Sequence, residues 1–224
     1  MFKAIMIGGT GATGRQLLKN LLNNNKCDQI TTIGRNSSFN NQEHSKLKDI
    51  IVSDLMNLSS TKEFWKMNDV FFNCIGTTRA IAGSAKEFFN VEVGISSEAA
   101  RMASDAGIPH VSLISAAGVD ADIWAKEWIH PLFYMKTMGE KEQTILTDYT
   151  FQNVSIFKPG MLLRLQKKQT LIEKFLGSIG SGLRVDILAA AMISNAEKIK
   201  IDSNQKSVNF FEGNKVIKEY LDNI

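Results

Sequence analysis

Short apolar runs alternate with longer amphipathic ones along most of this chain. "KAIMI" (3–7) is almost uninterrupted in its apolar character and reads as a buried strand. "ATGRQLLKNLL" (12–22) places apolar residues at helical spacing. "ITTIG" (30–34) is β-branched and stops at a glycine, "DIIVSD" (49–54) reads as a third strand, and "DVFFNCIG" (69–76) as a fourth. The pattern then predicts a long helix over 85–107, ending at a C′ glycine, Gly107. "PHVSLISAAG" (109–118) is a fifth strand, a helix lies within 126–147, and "TFQNVSIFKPG" (150–160) is a sixth strand. Between the second and third strands, "RNSSFNNQEHSKLK" (35–48) is a polar surface loop.

Strands that are apolar throughout and separated by helices predict a parallel sheet covered on both faces. The expected class is therefore α/β, a doubly wound parallel sheet, with ligand sites at the carboxyl ends of the strands. After Gly160 the alternation weakens. Residues 161–224 read as a smaller α-rich extension with one late strand, "SVNFFE" (207–212), completing the substrate side of the cleft within a single 1–224 domain.

Composition narrows this little further. Hydrophobic residues make up 44% of the 224, charged residues 22%, and the net charge is +3. A charge so small and so scattered argues against nucleic acid as a partner. The N-terminal apolar run is short and stops at glycines, unlike a secretory signal. The apolar stretch "ILAAAMI" (187–193) is too short to span a bilayer. Cys27 and Cys74 lack ligand spacing and read as buried structural thiols in a reducing compartment. The expected location is cytoplasmic. His44, His110 and His130 are too scattered for a metal site.

The candidate chemistry begins at "GGTGATG" (8–14). Gly8, Gly11 and Gly14 follow a strand and open a helix, the context in which such a triplet binds a dinucleotide. The first glycine allows a tight turn, the second lets backbone approach a pyrophosphate, and the third lets the helix pack on its strand. The helix N-terminus offers free N–H groups to the anion. Thr10, Ala12 and Thr13 lie between these glycines and are read with them as cofactor-binding.

At the end of the second strand, where an NAD site carries an acid for the ribose 2′-hydroxyl, the chain reads "TIGRNSS". Arg35 stands there instead. A guanidinium can bind a 2′-phosphate in a fork, so NADP(H) is expected over NAD(H), the alternative being that Arg35 is an ordinary loop arginine. Asp54, with Leu55 beside it, could accept a bond from the adenine amino group or simply hold a turn. Cys74, Ile75, Gly76 and Thr77 end the fourth strand and suit backbone contact with the cofactor, while Asn73 could instead satisfy local backbone.

These residues and five further stretches carry a resemblance. With "NCIGTTRAIAG" (73–83), "LISAAGVD" (113–120), "YMKTMGE" (134–140), "FKPGMLL" (157–163) and "VDILAAAM" (185–192), the chain resembles the atypical branch of the short-chain dehydrogenase/reductase superfamily, and more closely the Tat-interacting oxidoreductase family. The resemblance implies a Rossmann fold, NADPH binding and oxidoreductase activity, with regulation through protein partners in some relatives. It adds Arg79 and Pro159 to the cofactor-binding set.

The resemblance also implies a Ser or Thr ending the fifth strand, and a Tyr followed four residues later by Lys. Ser115 and Tyr134 fit as catalytic residues, but Met138 stands where the lysine belongs. Lys136 is turned roughly 200° from Tyr134, and Lys141 shares its face about 10 Å further along the axis. Both lysines are expected to be solvated, although Lys141 or Arg79 could supply the missing charge. Bringing a tyrosine from a pKa near 10 to neutrality takes about 3 units, or roughly 4 kcal/mol. Without a cation Tyr134 stays protonated, and a protonated tyrosine can still donate to a carbonyl. Ser115 could equally be a turn hydroxyl and Tyr134 a packed aromatic. Trp124, Trp128 and Phe133 read as packing, with an apolar lid as the alternative. Two functions follow: reduction of a small carbonyl substrate with NADPH, or a non-catalytic NADPH-binding regulator acting through a protein partner.

Overall fold

The apolar run near the N-terminus becomes the centre of the sheet. In the computed structural model, which describes residues 1–164, 182–202 and 206–223, β1 (Phe2–Ile7) pairs in parallel with β2 (Cys27–Gly34) on one side and β4 (Val70–Asn73) on the other. β3 (Leu47–Ile51) lies outside β2. β5 (His110–Ile114), β6 (Asn153–Lys158) and β9 (Ser207–Glu212) continue from β4, giving the order β3-β2-β1-β4-β5-β6-β9, parallel throughout. This is the expected doubly wound Rossmann arrangement. The late strand is not a separate unit: it is the seventh strand of the same sheet. β7 (Leu162–Leu163) and β8 (Leu183–Arg184) form a separate short parallel pair.

Side chains alternate across each strand, and both faces are filled. Ala4, Met6, Val70 and Phe72 point into one core with Leu17, Leu18 and Leu21 of α1 (Ala12–Leu22). Leu188 and Met192 of the late helix Val185–Ile201 close that core. Ile5, Ile7 and Phe71 point into the other core, with Trp65 of α2 (Lys62–Trp65). Ala99 and Ala103 of α5 (Ser96–Asp105) and Ile145 of α6 (His130–Thr147) complete it.

β1 and β2 begin earlier than expected, at Phe2 and Cys27, whereas β4, β5 and β6 are shorter than the runs 69–76, 109–118 and 150–160 that encode them. β4 stops at Asn73, which pairs with Ile7, the last residue of β1. Cys74 still donates its N–H to the Ile7 carbonyl at 3.2 Å, but the glycine turn then carries β1's chain away, and the residues from Ile75 onward become a loop facing the strand ends. The long helix expected over 85–107 is also divided. After α3 (Arg79–Ala82), α4 (Ala85–Phe89) leads into a π-helical turn, Asn90–Ile95, before α5. That wider turn carries Glu92, only 2% exposed, into the interior. Such turns inside α-helices are frequent at functional sites.

The expectation for 161–224 falls partly on 165–181 and 203–205, which lie outside the described residues. No helix among the described residues is long and apolar enough to cross a membrane.

Candidate functional site

The loop between β1 and α1 is built around two glycines. Gly8 has φ +78°, and a Cβ there would collide with the carbonyl of Cys74. A Cβ on Gly14 would collide with the carbonyl of Gly8, which is how the first turn of α1 sits directly on the loop. Gly11 donates its N–H to the Gly8 carbonyl at 3.0 Å. The resulting cradle lies between α1's N-terminus and the loop after β4, and its backbone shape suits a pyrophosphate.

Two lobes open from this cradle. The first is a cavity of about 380 Å³ lined by Gly8, Thr10, Gly34, Arg35, Ser38 and Leu55, among others. Arg35 is exposed at its lip and makes no ion pair among the described residues. The loop that carries it is ordered by Asp49, whose carboxylate accepts from the Ser37 hydroxyl at 2.7 Å and the Ser38 N–H at 3.0 Å. Asp49 was not among the residues singled out from sequence, because its partners precede it across the polar loop.

The second lobe, about 310 Å³, is lined by Ala12, Thr13, Ser115, Tyr134, Met138 and Arg164, with Leu162 and Val185. Thr10, Gly11, Cys74, Ile75, Gly76 and Thr77 line both lobes, so the two form one cleft along the strand ends. The donor set fits a dinucleotide: a backbone cradle shaped by glycines in the middle, a guanidinium without an ion pair among the described residues at one end, and a serine and a tyrosine at the other.

Four residues read as cofactor-binding lie outside the lining of both lobes: Gly14, which packs against the Gly8 carbonyl beneath the loop, and Asp54, Arg79 and Pro159. Asp54 accepts the Met56 N–H at 2.8 Å, the turn role that was its alternative. Arg79 donates to the Glu127 carbonyl and lies 5.8 Å from the Phe133 ring centre. The carbonyl of Pro159 accepts the Ala117 N–H at 2.9 Å, fixing the loop that follows Ser115.

Tyr134 is 40% exposed as a residue and packs its ring 5.9 Å from that of Phe88. Burial of the hydroxyl, and then the negative charge of Glu92, push its pKa up to about 12. Met138, buried one turn along, offers no opposing charge. Ser115 is also buried and donates its hydroxyl to Glu142 on α6. Glu142 in turn accepts from Lys158 at 3.2 Å, and Lys158 lies 3.8 Å from Glu212 on β9. Burial raises the Glu142 pKa, against the opposing pull of Ser115 and Lys158.

Lys141 is not solvated as expected. Its side chain is fully buried, with Nζ 3.0 Å from Glu92 Oε2 and 2.8 Å from the Ile75 carbonyl. The signal that marks its burial is positional: Lys141 stands three residues after Met138 and four before Ile145, on the inward face of α6. Lys136 does face outward, 4.0 Å from Glu140. Trp124 and Trp128 are 66% and 69% exposed, not buried in a core as packing residues would be, and Lys126 Nζ lies 5.8 Å from the Trp124 ring centre, while Phe133 packs near Phe88 with ring centres 6.3 Å apart.

The cysteines are buried, with burial pushing the thiol of Cys27 up to about 11 and that of Cys74 up to about 12. His110 starts β5 at the far end of the sheet, bonded to Ser155 at 3.0 Å, and burial lowers its pKa to about 3. His130 begins α6, one residue before Pro131.

A family model described as NAD(P)H-binding matches residues 8–174. Among curated proteins, Protein FMP52, mitochondrial, of Candida albicans is 32% identical over 95% of this chain and 92% of its own length. Protein HTATIP2 of Rattus norvegicus is 30% identical over 85% of this chain and 79% of its own length. The match to the FMP52 protein of Meyerozyma guilliermondii, at 33% identity, spans 65% of that protein's length. Among solved structures, the oxidoreductase ylbE from Lactococcus lactis has a TM-score of 0.67 at 17% identity, covering 99% of this chain and 96% of that one. This last is a likeness of fold. The FMP52 relatives are named as mitochondrial proteins, which overturns the expectation of a cytoplasmic location.

Proposed function

The chain belongs to the NAD(P)H-binding family, and we propose that it is an NADP(H)-preferring oxidoreductase that reduces a small carbonyl compound. The observation that carries this reading is the single cleft with Arg35 at one end and Ser115 with Tyr134 at the other. Arg35 binds the 2′-phosphate, for which its guanidinium has no competing ion pair among the described residues. The glycine loop and the α1 N-terminus hold the pyrophosphate. Leu162, Arg164 and Val185, which line the second lobe, complete its substrate side.

When bound, the cofactor supplies hydride. The protein's part is to place the carbonyl and deliver a proton to its oxygen. Tyr134, protonated at any neutral pH, is the donor. Because its pKa is pushed up, Tyr134 keeps its proton in the resting site, the form that reduction requires. Ser115 gives its own hydrogen to Glu142, so it presents lone pairs to the cleft while Glu142 is ionised. Once Glu142 is protonated, that bond can reverse and Ser115 can donate to the carbonyl. Burial of Glu142 favours this state.

A specific feature supports a second reading. Met138 and the engaged Ser115 leave a complete cofactor cleft beside a weakened catalytic end, as in a nucleotide-responsive regulator acting through a protein partner. NADPH consumption across aldehydes, ketones and quinones decides between them. The reductase reading expects turnover that falls about 100-fold or more in Tyr134→Phe. Tight NADPH binding with consumption at background favours the regulator.

A further inference from the structure

The loop after β4 lines both lobes of the cleft, and something must fix its shape. Asn73 Oδ1 accepts the Ile75 N–H at 3.3 Å. Lys141 Nζ donates to the Ile75 carbonyl at 2.8 Å, and Glu92 Oε1 accepts the Thr77 N–H at 2.6 Å. The other oxygen of Glu92 meets Lys141 at 3.0 Å, which closes a ring around Gly76. Both side chains are buried, at 0% and 2% exposure. In such surroundings a charge stays only if it is paired and hydrogen-bonded, so each partner depends on the other. Glu92 is carried there by the π-helical turn, and Lys141 by the face of α6 that also presents Tyr134 and Met138.

We propose that Lys141 and Glu92 form a buried clamp that sets the cofactor-facing conformation of Ile75, Gly76 and Thr77. Lys141 is then a positioning residue. The cation missing at position 138 stands one turn further along α6 and acts on the cleft through backbone, without touching a ligand. A bare buried ion pair would serve stability alone. This pair spends two of its hydrogen bonds on backbone groups flanking the one glycine in the loop. The inference rests on the reading of the cleft as a nucleotide site.

Two measurements on the full chain test it. One is NADPH titration. The other is amide hydrogen exchange in the ligand-free protein, comparing Thr77 with Phe71 at the centre of the sheet. The variants are Lys141→Met, Glu92→Gln and their combination, which removes both charges and so keeps the fold testable if either single change does not. In the combined variant and in Lys141→Met, NADPH affinity is expected to fall at least tenfold. Thr77 exchange should quicken while Phe71 exchange changes far less. A purely stabilising pair would speed Thr77 and Phe71 together, and that result overturns the proposal. So does parental NADPH affinity with unchanged Thr77 exchange in the combined variant. If the parent binds neither NADPH nor NADH, the cofactor reading fails. The exchange measurement then decides the clamp alone: selective quickening of Thr77 sustains it, and unchanged exchange overturns it.

Discussion

Ser115 at the end of β5 donates its hydroxyl to Glu142 on α6, and Lys158 on β6 holds the other oxygen of that carboxylate at 3.2 Å. A residue at the catalytic end of the cleft is thereby tied to a buried acid whose pKa lies above the usual carboxylate range. The sign of the consequence is fixed. A carboxyl group with a raised folded-state pKa binds its proton more readily in the native state than in the unfolded chain. Its favourable contribution is present below the unfolded value and is lost as pH rises through the folded value. Glu142→Gln cannot titrate. The stability of the parent relative to this variant should therefore fall as pH rises from below about 4.5 and then level off. Urea denaturation at a series of pH values measures it. A difference that is flat, or that grows with pH, contradicts a raised pKa at Glu142.

Tyr134 should remain un-ionised where free tyrosine is half ionised, at about pH 10, since burial and Glu92 push it up to about 12. The chain has three tyrosines, so the measurement is the ultraviolet difference between the parent and Tyr134→Phe across alkaline pH. No difference should grow in near pH 10. Met138→Lys brings a cation onto the same helix face and should move the ionisation of Tyr134 downward. Ionisation of Tyr134 at or below about 10 in the parent would mean that another cation already reaches it.

Gly139 is a structural requirement that the sequence pattern did not flag. A Cβ there would collide with the backbone of Ala121, so the loop between β5 and α6 rests directly on the helix. Gly139→Ala should cost about 1–3 kcal/mol, as overpacking typically does. It should also shift the loop that carries Trp124 and Trp128. Chemical denaturation, with tryptophan fluorescence of the native state, reads both effects. Unchanged stability and fluorescence would show that the loop does not lie there.

Patterning located the parts of the cleft that are made by local sequence. The glycine turn and α1 depend on contacts within a strand–turn–helix unit, and α1 begins and ends where its apolar spacing does. Arg35 follows directly from the end of β2. The strand ends were less legible, because β4 stops where its neighbour turns away, which no residue in "NCIG" encodes. Least legible were the charges. Lys141 and Glu142 look like solvated helix positions until Glu92, Lys158 and Ser115, between 16 and 49 residues away, are brought against them. Their burial is a property of pairs, and single-position reasoning favours the exposed state for each.

Titration of NADPH and NADH into the parent and Arg35→Ala, followed by fluorescence, tests the central claim most directly. A charge-assisted bond to a phosphate contributes about 1.5–3 kcal/mol, or roughly tenfold to a hundredfold in affinity. The account predicts that the parent prefers NADPH, that Arg35→Ala loses NADPH affinity by that factor, and that NADH binding is unchanged. Equal affinity for the two nucleotides, or an equal loss of both in the variant, would contradict it.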